Sequence, residues 1–261
     1  MEQVLTALMP HLQKVPVDQL VVAAMLVFAR VGTCLMLVPG INTARVAIQH
    51  RLFLAVAFSF VTLPWAGKEI FLMAKQQDLA HLLVGIVSEA FIGASLGVIA
   101  HIFFWAIEFM ATFIAMALGF SGQPGHSIIY SQPEAPLANF ITFSAVIIFF
   151  TSDLYLLVIQ GLVKSYSLVP ASFSPEATSA LIDYRDALSQ TFLIAMHIAA
   201  PFIIYTALIN FAIGLLNKLT PAIPVYFIST PFVLVGGLFL FYLLLPELFN
   251  FFAGELLNWL K

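Results

Sequence analysis

Apolar residues run through this chain in long blocks, and short polar stretches divide them. About six or seven blocks emerge, over residues 20–38, 52–66, 79–120, 137–163, 187–216 and 223–245, with an amphipathic, aromatic-rich tail over 247–261. The connectors carry turn residues: Pro39-Gly40, Gly67-Lys68, Gly122-Gln123-Pro124-Gly125, the stretch 170–175, and 217–221. The blocks predict helices rather than strands, because most are far longer than a strand. There is no low-complexity tract and no internal repeat.

Block length says more than block count. A helix rises about 1.5 Å per residue and needs about 20 residues to cross a bilayer. The block 52–66 is too short to cross. The block 79–120 is about twice too long, yet holds no Pro, Asn or Asp to turn the chain. As one helix it would extend roughly 60 Å; a hairpin near Ala100 is the alternative, and no turn chemistry marks it. The first block contains Arg30 and ends in Pro39-Gly40-Ile41-Asn42, which predicts a retained helix rather than a cleaved signal. Connector cations do not alternate: Arg45 and Arg51, then Lys68 and Lys75, none from 120 to 136, then Lys164 and Arg185, then Lys218. The positive-inside rule therefore orients the chain only weakly. Irregular lengths and weak orientation predict helices held by partner proteins as much as by lipid.

Composition places the chain in a membrane. Of 261 residues, 62% are hydrophobic and 9% charged, with mean hydropathy +1.04, against about 25% charged in a soluble domain. No polar linker splits it, so we expect a single membrane-embedded domain over 1–261. A net charge of −3 without a basic patch argues against nucleic acid. The lone Cys34 excludes an intrachain disulfide and a thiolate cluster. His11, His50, His81, His126 and His197 have no metal-ligand spacing, and GxxxxGK[ST] is absent. Neither a metal nor a cofactor is expected.

Four charges interrupt apolar blocks: Arg30, Glu89, Glu108 and Asp153. Each would cost about 2.5–3.5 kcal/mol at a membrane centre, so each is expected to meet a pore, a partner or an opposite charge. Gly85, Glu89, Gly93 and Gly97 recur at steps of four, forming a small-residue ridge on one helix face. Gly93 and Gly97 also make a GxxxG pair, which permits close backbone approach. Structural pairing of Glu89 is the expectation; a proton relay through Glu89, His101 and Glu108, as in a proton-coupled transporter, is the alternative. A remoter alternative is an intramembrane serine protease, since Gly119-Phe120-Ser121-Gly122 matches the GxSG pattern of rhomboids and His197 could nominally serve Ser121 as base. Ile198 and Pro201 follow that histidine where those enzymes have small residues, and Trp105 stands where their HxxxN motif needs Asn. The bland reading of Met110, Phe113, Met116 and the following glycines is packing plus a turn. The sharper one is a deformable closure, because Met conforms to irregular neighbours and irregular backbone at membrane depth is tolerated beside a cavity.

Three stretches resemble the FliR family of flagellar export-gate proteins, which is similar to the corresponding injectisome subunit. They are Ala29-Arg30-Val31-Gly32 through Pro39-Gly40 and on to Leu52; Ser88-Glu89-Ala90-Phe91-Ile92-Gly93 with Leu96-Gly97, continuing to Glu108-Phe109; and Asn210 through Gly214-Leu215-Leu216-Asn217-Lys218-Leu219-Thr220-Pro221. Their order and spacing cover nearly the whole chain, and Leu215-Leu216-Asn217-Lys218 leans flagellar. The chain departs from the family at Gln123-Pro124, where Asp-Pro is frequent, and at Ala222-Ile223-Pro224, where polar residues are usual.

The resemblance implies an all-α polytopic membrane protein of packed helical hairpins, not an enzyme, in the bacterial inner membrane at the flagellar basal body. Its implied partners are FliP-like and FliQ-like subunits in a helical, pore-forming gate, FlhB-like and FlhA-like export components, unfolded export substrates and lipid. It also implies a pore plug over about 115–125. On that reading Met110, Phe113, Met116, Leu118 and Phe120 seal the pore. Gly119, Gly122 and Gly125 let the plug shift, with Ser121, Gln123 and Pro124 completing it. Arg30, Glu89, Gly93, Gly97, Glu108, Asp153, Asn217 and Lys218 would lock helices or subunits together.

Overall fold

The computed structural model describes residues 16–41, 46–75, 79–120, 125–126, 133–169 and 177–260. Helix α1, Val17–Leu37, ends where Pro39-Gly40 turns the chain: Gly40 has φ +84°, and the Val38 amide still bonds the Cys34 carbonyl at 3.0 Å. Helix α2, Ile48–Thr62, passes into a 3₁₀ turn, Leu63–Trp65, started by Pro64. Gly67, at φ +77°, then redirects the chain into α3, Gly67–Lys75.

Helix α4, Leu79–Ala117, is one helix of 39 residues. It holds no Pro, Asn or Asp, and the backbone bonds continue unbroken past its glycines. It stops at Gly119, whose φ of +85° is the left-handed cap that glycine tolerates best. The Leu118 and Gly119 amides bond the carbonyls of Ile114 and Met116 at 2.9 and 3.1 Å. A two-residue antiparallel pairing of Gly125–His126 with Pro133–Glu134 follows, the only β-structure among the described residues.

The block 137–163 proves to be two helices: α5, Pro136–Thr151, and α6, Leu154–Leu168. Pro136 starts α5 at a position where its missing amide is harmless. The break falls at Ser152 and Asp153, and Asp153 adopts φ +57°. Helix α7, Ala177–Leu219, carries Pro201 inside it, and α8, Val225–Leu260, carries Pro231 and Pro246. Between them, Pro221 and Pro224 end one helix and start the next.

Four helices are long and apolar enough to cross a membrane among the described residues: Val17–Leu37, Leu79–Ala117, Tyr184–Leu219 and Val225–Phe251. Two interrupted pairs, Ile48–Trp65 with Glu69–Lys75 and Pro136–Thr151 with Leu154–Leu168, raise this to six if each is one span. The fold class is thus all-α and polytopic.

The chain divides into two compact units, Met1–His101 with Tyr155–Asp186, and Ile102–Leu154 with Ala187–Lys261. Helix α4 passes from the first to the second after His101, and α7 after Asp186. In the first unit α1 is the central element, packing Ala23, Leu26, Val27 and Val31 among α2, α3 and α4 without exposure. In the second, Phe104 meets Phe149 edge-on with ring centres 5.3 Å apart, and Phe202 approaches Phe241 at 6.4 Å. Around the α7–α8 turn, however, large apolar side chains lie bare: Phe211 is 68% exposed, Leu219 77%, Phe227 79% and Phe232 76%. Patches of this kind mark surfaces that lipid or another protein covers.

Candidate functional site

The first unit is organised around Arg30, a side chain with no exposure in the middle of α1. Its Nε donates to Glu89 Oε2 at 2.7 Å and its Nη2 to Glu89 Oε1 at 3.0 Å. This two-pronged geometry is the strong form of an ion pair. Nη1 donates to Ser165 Oγ and Nη2 also to the Val169 carbonyl, each at 3.1 Å. Above the guanidinium, 4.2 Å from its carbon, lies the centre of the Tyr166 ring. Four donor bonds and an aromatic face thus replace the water that the charge gave up. Helices α1, α4 and α6 are joined at one buried point.

Glu89 reaches Arg30 because the glycines around it let α4 lie directly on α1. A Cβ on Gly93 would collide with the Arg30 carbonyl oxygen and the Thr33 hydroxyl. On Gly97 it would stand 2.7 Å from Leu37 Cβ and 2.9 Å from the Cys34 carbonyl. One step of four further, His101 Nδ1 lies 2.6 Å from the Leu37 carbonyl; since a carbonyl only accepts, this nitrogen carries the proton. The ridge 85–89–93–97 therefore continues to His101 as a single contact face. Glu89, Gly93 and Gly97 share the face that their spacing implies, and Arg30 of α1 lies against it. Ser165, Tyr166 and the Val169 carbonyl escaped the sequence reading, since nothing in a Ser-Tyr pair near a helix end points to a residue 135 positions away.

The remaining charged residues are placed differently. Glu108 is half-buried in the part of α4 that belongs to the second unit, whereas His101 belongs to the first. Asp153 lies between two helices rather than inside one, exposed in the α5–α6 turn. That position corrects the expectation of a charge inside an apolar helix, and leaves Asp153 no buried helix–helix seam within this chain. Asn217 and Lys218 are exposed in the last turn of α7, where the lysine complements the helix dipole.

In the second unit the closure candidates differ in burial. Met110 and Leu118 are buried, Phe113 and Phe120 are half-buried, and Met116 is 59% exposed. Ser121, Gly122, Gln123 and Pro124 lie outside the described residues; Gly125 pairs with Glu134. The end of α4 is nevertheless well anchored. Leu118 sits on Gly237 of α8 so closely that a Cβ there would be 2.5 Å from Leu118 Cδ2. Beside it, the Thr206 hydroxyl lies 3.4 Å from the Ala117 carbonyl and donates to the Phe202 carbonyl at 2.8 Å. Tyr205 packs over Gly236 and donates its hydroxyl to the Val233 carbonyl at 2.8 Å. A cleft of about 170 Å³ opens here, lined by Met116 and Gly119 and by the polar Asn210, Tyr226, Ser229 and Thr230. The histidine nominated for a serine base, His197, is exposed, with Nδ1 3.1 Å from the Leu193 carbonyl. Among the described residues no three His, Cys, Asp or Glu side chains gather as metal ligands.

Fold and site together define a polytopic helical membrane protein whose best-formed polar site ties its own helices, and whose long hairpin offers bare apolar faces to its surroundings. The profile of the bacterial export proteins, family 1, matches residues 21–259, and the chain belongs to that family. Among its relatives is the flagellar biosynthetic protein FliR of Caulobacter vibrioides, 26% identical over 218 residues, or 84% of this chain and 86% of the relative. FliR of Aquifex aeolicus is 23% identical over 244 residues, 90% of each chain. The Yop proteins translocation protein T of Yersinia pestis is 30% identical over 161 residues, 59% of this chain and 60% of that protein. The FliR resemblance of the three motif stretches is thereby borne out.

Proposed function

We propose that this chain is a subunit of the flagellar type III protein export apparatus, and that it helps form and seal the gate through which unfolded flagellar components leave the cell. The observation that carries the reading is the family relationship over residues 21–259, with FliR proteins matched along most of their length. The gate acts in the bacterial inner membrane at the flagellar basal body, as one membrane-embedded body with FliP-like and FliQ-like subunits. FlhB-like and FlhA-like components stand alongside. The bare apolar hairpin of α7 and α8 supports an assembly, because sister helices would cover what the chain itself leaves open.

In this mechanism the chain makes and breaks no bond, and the driving energy comes from elsewhere in the apparatus. Met110, Phe113, Met116, Leu118 and Phe120 exclude water from the closed pore, and the glycines at 119, 122 and 125 let the plug over about 115–125 move aside. Arg30, Glu89, Gly93 and Gly97 hold the first unit rigid. The relay reading of Glu89 loses support because both carboxylate oxygens are engaged by Arg30 in a buried pair. Coexpression tests the proposal: the chain should accumulate in the membrane only alongside its FliP-like and FliQ-like partners. Equal accumulation without them, with solute transport by the chain alone, would replace the gate with a transporter.

A further inference from the structure

We infer that Gly236 and Gly237 of α8 form a latch for the end of α4, and that Leu118 must leave this latch for the pore to open. The inference rests on the plug reading given above and adds what holds the plug in place.

Two contacts meet the last turn of α4, and a third braces α7 against α8 beneath them. Leu118 is fully buried, and its Cδ2 would lie 2.5 Å from a Gly237 Cβ, so a side chain at 237 displaces the leucine tip, while the two Cβ positions stand 3.5 Å apart. Next to it, Gly236 leaves room for Tyr205, whose oxygen would be 2.7 Å from an added Cβ. Tyr205 then donates to the Val233 carbonyl, one turn earlier on α8, which ties α7 and α8 together under the Leu118 seat. The Thr206 hydroxyl, adjacent to Tyr205, reaches the Ala117 carbonyl. That carbonyl is among the last four of α4, which have no partner inside the helix.

The helix ends immediately beyond this seat. Gly119, at φ +85° and exposed, stands with its missing Cβ 3.6 Å from Leu234 Cδ2. The chain can therefore swing at Gly119 only as far as Leu118 stays seated, and a larger excursion requires the side chain to come off Gly237. The polar cleft alongside, with Asn210, Tyr226, Ser229 and Thr230, is wettable ground in an otherwise apolar hairpin. Water held there can bond the terminal α4 carbonyls when Leu118 is off its seat. Seating and release are thus distinct states of one helix end, biased by the spacing of α7 and α8.

A reversible tether tests this directly. A disulfide needs its two Cβ atoms about 3.5–4.5 Å apart, which the 3.5 Å separation satisfies. The native Cys34 is buried in the other unit and does not compete. In cells carrying the full export complex, the pair Leu118→Cys and Gly237→Cys should crosslink under mild oxidant. Export of flagellar proteins should then fall at least tenfold and recover on reduction, while either single cysteine variant shows no response to oxidant. Failure of the disulfide to form, or undiminished export once it has formed, overturns the latch. Gly237→Val supplies an independent arm, since it unseats Leu118: the assembled complex should leak ions several-fold faster than the parent, and an unchanged leak counts against the latch. Deleting residues 119–125 in the same cells separates the two ideas. If that deletion leaks while the tethered pair still exports, the latch alone falls; if the membrane stays tight, the plug reading fails and takes the latch with it.

Discussion

Arg30 and Glu89 stand 59 positions apart and meet through two hydrogen bonds of 2.7 and 3.0 Å, with neither side chain exposed. Two charges so deeply buried are tolerable only together. Removing one partner from such a pair is destabilising by about 3–5 kcal/mol, because the other is left uncompensated, whereas apolar replacement of both is often neutral.

Glu89→Gln should therefore reduce the yield of intact export complex severalfold, and Arg30→Leu combined with Glu89→Leu should recover much of it. Quantitative blotting of the purified complex measures both. A normal yield for Glu89→Gln with altered proton flux would instead restore the relay.

Helix α4 can lie on α1 only where side chains are missing. Gly93→Ala should lower complex yield strongly, since the added methyl meets the Arg30 backbone, which cannot step aside. Gly161→Ala makes a sharp control. It lies in α6 with nothing within 4 Å of its Cβ, and should be neutral or stabilising by up to about 1 kcal/mol. Similar loss at both positions would mean that the α1–α4 contact is not the cause.

Deletion of residues 119–125 should leave assembly intact and make the membrane permeable to ions. Conductance of vesicles holding the purified complex reads this out, and a tight membrane would end the plug assignment.

Photo-crosslinking residues placed at Phe227 and Phe232, 79% and 76% exposed on α8, should capture a small membrane protein of the same apparatus. Mass spectrometry of the adducts distinguishes this from lipid, and lipid adducts at both sites would show a hairpin standing alone in the bilayer.

Much of this architecture could be read from the chain before any coordinates. The block 79–120 holds no Pro, Asn or Asp, and it is one helix to Ala117. The four-step series from Gly85 to Gly97 announced a contact face, whereas which donor Glu89 would meet was not legible until Arg30 was seen beside it. Other features left no local trace. The break at Ser152–Asp153 lacks the usual Pro or Gly, because Asp there takes the left-handed backbone itself. Ser165 and Tyr166 join the lock only through tertiary packing, which periodicity within one helix does not encode. Gly236-Gly237 lies inside an apolar run, and nothing beside it in the sequence shows that Leu118 and Tyr205 pack against it. Conversely, α7 extends upstream of its apolar block through Arg185 and Asp186, which are exposed, since charges facing solvent do not interrupt a helix.

The native mass of the detergent-extracted particle tests the central claim most directly. The account predicts that this chain leaves the membrane within one large complex holding two other small membrane proteins. A lone, folded chain that carries out transport by itself would contradict it.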